Sequence, residues 1–308
     1  MAGKTIIVTG SNSGMGLETA TVLYNHGATV VMACRSLERA AVAAATITGT
    51  SDDSLGAPKG KIVLMQLDLG SMASIKKFAD KVAEDIPALD CIAHNAGVAF
   101  MKPGAVTAEG TSMIIGTNHF GVFYLDQLLF SKYVTDGTRV VVTSSLSANG
   151  GTLNFGPTLT WSGEEYGASK LANVLHAFEL NRRLQAARAA AASSSASARP
   201  VPLAVSLHPG IVRTTVFNNI GGCAGAIVVR CVAPVFFLSI SQGAQTSLHL
   251  VTAPHADIAT HSGEFFSHCK PSYVSHAQVK DREITAPKLW EASERMIASF
   301  SASAVRIA

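Results

Sequence analysis

The chain has 308 residues, enough for one large α/β domain or two small ones. Apolar residues make up 48% of it and charged residues 15%; aromatics are few at 6% while Ala, Val, Leu and Ile abound, which suits a parallel sheet covered by helices. Its 24 basic and 21 acidic residues are spread along the chain without a basic block, which argues against a nucleic-acid partner.

Taken in chain order, apolar runs predict strands at 5–9, 29–33, 61–67, 89–94, 139–143 and 203–208. Helical patterns lie between them, near 14–26, 37–47, 72–84, 109–133 and 165–188. This alternation predicts an α/β protein: a single Rossmann-type domain over 1–308, a doubly wound parallel sheet with helices on both faces. Residues 48–60 read as a surface loop, and the Ala/Ser-rich stretch at about 189–200 reads as a flexible insertion. The five cysteines show no CxxC spacing and read as thiols of a reducing compartment. The ten histidines are dispersed, so no metal site is expected. The first strand starts too early to leave room for a leader, and the longest apolar stretch, Ala224 to Ile240, is broken by Arg230 and Pro234. A cytoplasmic protein without a membrane span is the expectation.

The first strand runs into Thr9-Gly10-Ser11-Asn12-Ser13-Gly14-Met15-Gly16. Gly10 permits the sharp turn, Gly14 lets backbone approach a ligand, and Gly16 lets helix and strand pack closely. The free amides at the helix start then suit a pyrophosphate. At the end of the second strand, where an acid would accept hydrogen bonds from a ribose 2′-hydroxyl, the chain reads Ala33-Cys34-Arg35. Arg35 offers a charged planar fork, with Arg39 one turn on, and NADP is the expected cofactor. Further on, Tyr166 and Lys170 stand at i and i+4 of one helix, so an ammonium lies near a phenol and favours phenolate. That pair is suited to moving a proton.

The spacing Thr-Gly-x-x-x-Gly-x-Gly together with Tyr-x-x-x-Lys resembles the short-chain dehydrogenase/reductase family. Within it, Ser169-Lys170-Leu171-Ala172-Asn173, Gln242 to Thr246, Gly263 to Ser267 and Leu289 to Ser293 look like the retinol dehydrogenase-like branch, which includes WW-domain oxidoreductase relatives. The resemblance implies that Ser11, Asn12, Ser13 and Met15 line the cofactor, that Asp68 and Leu69 meet adenine, and that Asn95, Ala96 and Gly97 continue the cofactor wall. His94 departs from the family's Asn and reads as a structural histidine. Ser145, or Ser144 if the two are exchanged, orients the carbonyl. Asn118 kinks its helix, holds a water on Lys170 and completes a relay. Pro209, Gly210, Val212 and Thr214, or its neighbour Thr215, meet the nicotinamide.

The branch implies a lipophilic carbonyl or alcohol, such as retinal, a sterol or a long-chain aldehyde, under a lid at about 216–240. The apolar side chains of that lid suit ordinary core packing, a greasy pocket or peripheral membrane contact. The extra length at 149–165 is expected to loop out over the substrate pocket. A homodimer through the helices bearing Asn118 and Tyr166 is also implied. The rival reading is a non-catalytic NADP-binding sensor or scaffold on the same fold; an extended-family epimerase fits the first-turn spacing less well.

Overall fold

The apolar runs become a sheet for a simple reason: strands such as Arg139-Val140-Val141-Val142-Thr143 are β-branched and buried along their whole length, as strands covered on both faces must be. The computed structural model describes residues 1–49, 59–192, 200–212 and 237–305. In order these form β1 (Thr5–Thr9), α1 (Gly14–Asn25), β2 (Thr29–Cys34), α2 (Leu37–Gly49), β3 (Lys61–Gln66), α3 (Met72–Asp85) and β4 (Cys91–His94). There follow α4 (Met113–Ile115), a π-helical turn at Gly116–Phe120, α5 (Gly121–Asp136), β5 (Arg139–Thr143), β6 (Gly151–Phe155), β7 (Leu159–Gly163), α6 (Glu165–Ala192) and β8 (Leu203–His208). The C-terminal part adds α7 (Ile240–Thr252), α8 (His255–Ala259), β9 (Phe265–Ser267), β10 (Lys270–Ser272), α9 (Ala277–Lys280) and α10 (Arg282–Val305).

The main sheet has the order β10-β9-β8-β5-β4-β1-β2-β3, parallel throughout except for β10, which folds back on β9. All six expected strands are present and neighbour one another as a doubly wound sheet requires. Its order reverses between β1 and β4, so their C-terminal ends open a crevice there. One core lies under α1, α2 and α7, through side chains such as Leu23, Ile47 and Leu248. The other lies under α3, α5, α6 and α10, through Ile75, Phe123, Leu175 and Trp290.

Two expectations change. Residues 149–165 are not an irregular loop: they form the antiparallel hairpin β6–β7, whose Leu153 and Leu159 are buried and whose Leu153 backbone is bonded at both N–H and C=O by Gln278. The helix expected from 109 starts at Met113, because Val106 bridges Ser112 and closes a turn at Thr107–Thr111 first. Thr214, nearly all of the expected lid and the centre of the Ala/Ser-rich insertion lie outside the described residues. Among the described residues, no helix is long and apolar enough to cross a membrane.

α10 covers the outer side of α5 and α6. Trp290 stacks on His176 and meets Phe123 edge-on at 4.8 Å, while the Arg183 guanidinium lies 4.4 Å from its ring centre. His119 Nε2 bonds Ser293 Oγ at 2.8 Å. Beneath this helix lies a polar cluster in the core. Asp126 accepts from His94 Nε2 at 2.7 Å, from the Tyr133 hydroxyl at 2.7 Å and from His176 Nε2 at 2.8 Å. Burial pushes the Asp126 carboxyl up, but the charge and hydrogen bonds of His94 and His176 outweigh it and hold it well below the usual carboxylate range. His94 is thus buried in the core and bonded to Asp126, as a structural histidine would be.

Candidate active site

At the end of β1 the chain must reverse over β4 and enter α1. Gly10 does this with φ +65°, and a Cβ there would stand 3.0 Å from the Cα of Ala96. Gly16 packs still closer, since its Cβ would fall 2.5 Å from the Gly10 carbonyl oxygen. Ser13 precedes α1 in extended conformation without capping it through its side chain, so the first amides of the helix stay available to an anion. Asn95 and Ala96 tie the end of β4 to β1: Asn95 Nδ2 donates to Thr9 O and Ala96 N to Thr9 Oγ1.

These turns enclose an open cavity of about 270 Å³ that runs from Gly10, Asn12, Ser13, Gly14 and Met15 past Arg35 to Asp68 and Leu69, with Asn95, Ala96 and Gly97 as its far wall. Ser11 is a departure. Its side chain is fully buried and faces Cys34 Sγ at 3.5 Å, so it stands behind the cavity wall. Gly16 likewise contributes close packing and does not line the cavity. The Asp68 carboxylate is held by the Gly70 N–H at 2.9 Å. Arg35 and Arg39 both reach the cavity, and among the described residues neither guanidinium pairs with a carboxylate. A ring of glycine backbone, open helix amides and two unpaired guanidinium groups fits a dinucleotide carrying phosphate charge.

A second cavity of about 360 Å³ adjoins the first at Met15, Asn95, Gly97 and Val98. Ser144, Ser145, Tyr166 and Lys170 line it, with Pro209, Gly210 and Val212 opposite. The two serines are not equivalent. Ser144 is buried and donates to the Lys170 carbonyl at 2.6 Å, whereas Ser145 is half-exposed, and its Oγ accepts the Ser147 N–H at 3.1 Å. Lys170 Nζ lies 5.6 Å from the Tyr166 ring centre and donates to the Thr143 carbonyl at 3.0 Å. Asn118 sits in the π-helical turn, the expected kink. Its amide is occupied by Val98 N, Val98 O and Ser169 Oγ, at 2.8, 2.9 and 3.0 Å.

The electrostatics differ from the simple expectation. Burial, then the nearby Glu164 carboxylate, raise the Tyr166 phenol to about 12, against a smaller lowering by its hydrogen bond to Ser145. Burial lowers the Lys170 ammonium to about 8. The protein's own groups therefore keep the phenol protonated and bring the amine close to neutrality, rather than favouring phenolate.

The profile described as short chain dehydrogenase matches residues 4–191. The chain belongs to the short-chain dehydrogenase family. It is 35% identical to "Retinol dehydrogenase 14" of Mus musculus over 96% of this chain and 86% of that protein, and 33% identical to "Retinol dehydrogenase 13" of Homo sapiens over 96% and 85%. A crystal structure of an uncharacterized protein from Mycobacterium Paratuberculosis superposes with a TM-score of 0.68 at 28% identity, covering 96% of this chain and 93% of that one. This short-chain dehydrogenase is thus retinol dehydrogenase-like, an oxidoreductase of carbonyl and alcohol groups that uses a nicotinamide nucleotide.

Two ionisable cavity-lining groups escaped the reading of the sequence. Glu164 lines the second cavity beside Tyr166, and His208 lines its floor. Glu164 was legible as an acid two residues before the tyrosine. The role of His208 was hidden by the Pro-Gly turn that follows it.

Proposed function

We propose that the enzyme uses NADP(H) and interconverts a lipophilic carbonyl compound and its alcohol. The observation that carries this reading is the joining of two cavities at one wall: one bears the unpaired Arg35 and Arg39, the other bears Tyr166, Ser145 and Lys170. When bound, the nicotinamide supplies or takes the hydride. The chain's own residues do the rest. Ser145 orients the carbonyl oxygen, and Tyr166, protonated at neutral pH, gives it a proton. Lys170 holds the ribose side of the cofactor, and Asn118 braces the π-helical turn against Val98 and Ser169. Gly10, Asn12, Ser13, Gly14 and Met15 hold the pyrophosphate side, Asp68 and Leu69 the adenine side, and Pro209, Gly210 and Val212 the nicotinamide side.

The lipophilic preference rests on Met15, Val98, Ala99, Phe100, Ile211 and Val212, which line much of the second cavity. Phe100 and Ile211 are also exposed at its rim, where they would take up a substrate from a membrane surface. The free thiols Cys34, Cys91 and Cys269 suit a reducing, cytoplasmic location. α10 packs on part of the α5 and α6 surface, through Phe123 and Arg183.

The test is NADPH oxidation against retinal, long-chain aldehydes and small polar ketones, with Arg35→Asp alongside. Faster turnover of the lipophilic members is expected, and the variant should raise KM for NADPH roughly 10- to 100-fold while leaving that for NADH little changed. Equal effects on both cofactors would overturn the NADP assignment. Tight NADPH binding without turnover of any carbonyl would favour the sensor reading.

A further inference from the structure

β8 ends on His208, directly before the Pro209-Gly210 turn, and delivers its imidazole to the floor of the second cavity. The residue is only 6% exposed. Its Nδ1 accepts the Leu146 N–H at 3.4 Å, which pins the ring beside the residue that follows Ser145. Burial, then the neighbouring His268, lower the ring to about 4, so at neutral pH it is uncharged and carries one proton. With Nδ1 used as an acceptor, that proton sits on Nε2. Nε2 has no partner among the described residues and is not sealed in the interior, and the residue lines the cavity, so its N–H is left for a ligand there.

The cavity therefore offers a neutral donor on its floor besides the Ser145 and Tyr166 hydroxyls, which the carbonyl oxygen itself engages. On the same cavity lies the Glu164 carboxylate, and among the described residues no cation pairs with it. A donor asks for an acceptor oxygen, and an uncompensated carboxylate disfavours an acceptor that is itself anionic.

We propose that His208 is a specificity-determining residue that reads a second, uncharged acceptor oxygen next to the reacting carbonyl, and that Glu164 discriminates against carboxylate-bearing analogues. The preferred substrates are then apolar carbonyl compounds oxygenated at the neighbouring carbon, with vicinal diketones ahead of 2-oxo acids. This rests on the carbonyl–alcohol reading above.

The test is calorimetric titration of the enzyme–NADP⁺ complex with 1-phenylpropane-1,2-dione, propiophenone and benzoylformate. The first two differ by the second oxygen, and the third replaces the neutral acceptor by a carboxylate. No ketone is reduced in the oxidised complex, so affinity reads the pocket alone, while NADPH oxidation with the same ketones tests the underlying reaction separately. The dione should bind about tenfold more tightly than propiophenone, the worth of one hydrogen bond to a buried donor. His208→Phe should bring that ratio to about twofold or less, and His208→Gln, which keeps a donor, should retain most of it. Benzoylformate should bind more weakly than the dione, and Glu164→Gln should narrow that gap several-fold. An unvaried dione-to-propiophenone ratio in His208→Phe, or no preference for the dione in the unaltered enzyme, overturns the assignment of His208. Stronger binding of benzoylformate than of the dione overturns that of Glu164.

Discussion

Helix α6 carries two polar clusters, and they are built on opposite terms. Near its start, Tyr166 and Lys170 line a cavity, with both groups shifted by burial toward their uncharged forms. Further along, His176 joins His94 and Tyr133 around Asp126 in a site without solvent, where the carboxylate is stabilised by three donors. The first cluster leaves proton-bearing groups incompletely matched and open to a ligand. The second is matched at its centre and ties β4, α5 and α6 together. One helix therefore bears both a destabilised reactive site and an anchor that holds it in place, which is how a fold can tolerate an unfavourable active site.

The largest effect expected on this comparison is chemical. Tyr166→Phe should lower turnover by about 10²–10⁴-fold, the usual worth of a general acid, while cofactor affinity and thermal stability stay near those of the parent. Steady-state kinetics beside a melting curve checks both halves, and retention of more than a few per cent of activity removes the tyrosine from its role.

The reverse pattern is expected at the other cluster. Asp126→Ala strands two imidazoles and a phenol without their acceptor and should cost about 3–5 kcal/mol of stability at neutral pH. The sign with pH follows from the lowered carboxyl: the stability it contributes is fully present above its unfolded value near 3.8 and is lost as pH falls through the folded value. The difference between parent and variant in urea unfolding should thus shrink below about pH 4. A constant difference across that range would show that the carboxylate charge is not what the cluster needs.

The smallest effect separates the clusters most sharply. Lys170 has a folded value near 8 against 10.5, so at neutral pH the fold holds an ammonium that burial disfavours, and stability rises with pH between those two values. Lys170→Met should remove that dependence and raise stability by about 1–3 kcal/mol at pH 7, while turnover is lost. A destabilised variant would mean that the bond to the Thr143 carbonyl outweighs the burial of the charge.

Much of the nucleotide half was legible because its signals are local. Strand, glycine turn and helix follow one another within 30 residues, and Gly10 and Gly16 stand where backbone contact leaves no room for a side chain. The hairpin β6–β7 carried a signal that went unread: Leu153 and Phe155 alternate with polar residues, as do Leu159 and Trp161, on either side of Gly156-Pro157-Thr158. β9 and β10, three residues each, are too short for periodicity to reveal, and α10 breaks the usual rule with Pro287 near its start.

By itself the sequence determined the sheet, the phosphate turn, the Tyr166–Lys170 pair and the absence of an acid after β2, since each depends on neighbours within a few positions. Tertiary structure alone decided that Ser144 is buried on the Lys170 carbonyl while Ser145 stays half-exposed, that Ser11 turns inward, and that Asn118 is held by Val98 and Ser169. It also decided the shifts of Tyr166 and Lys170. Burial is the largest cause of both shifts, and it arises only when distant segments close over these side chains.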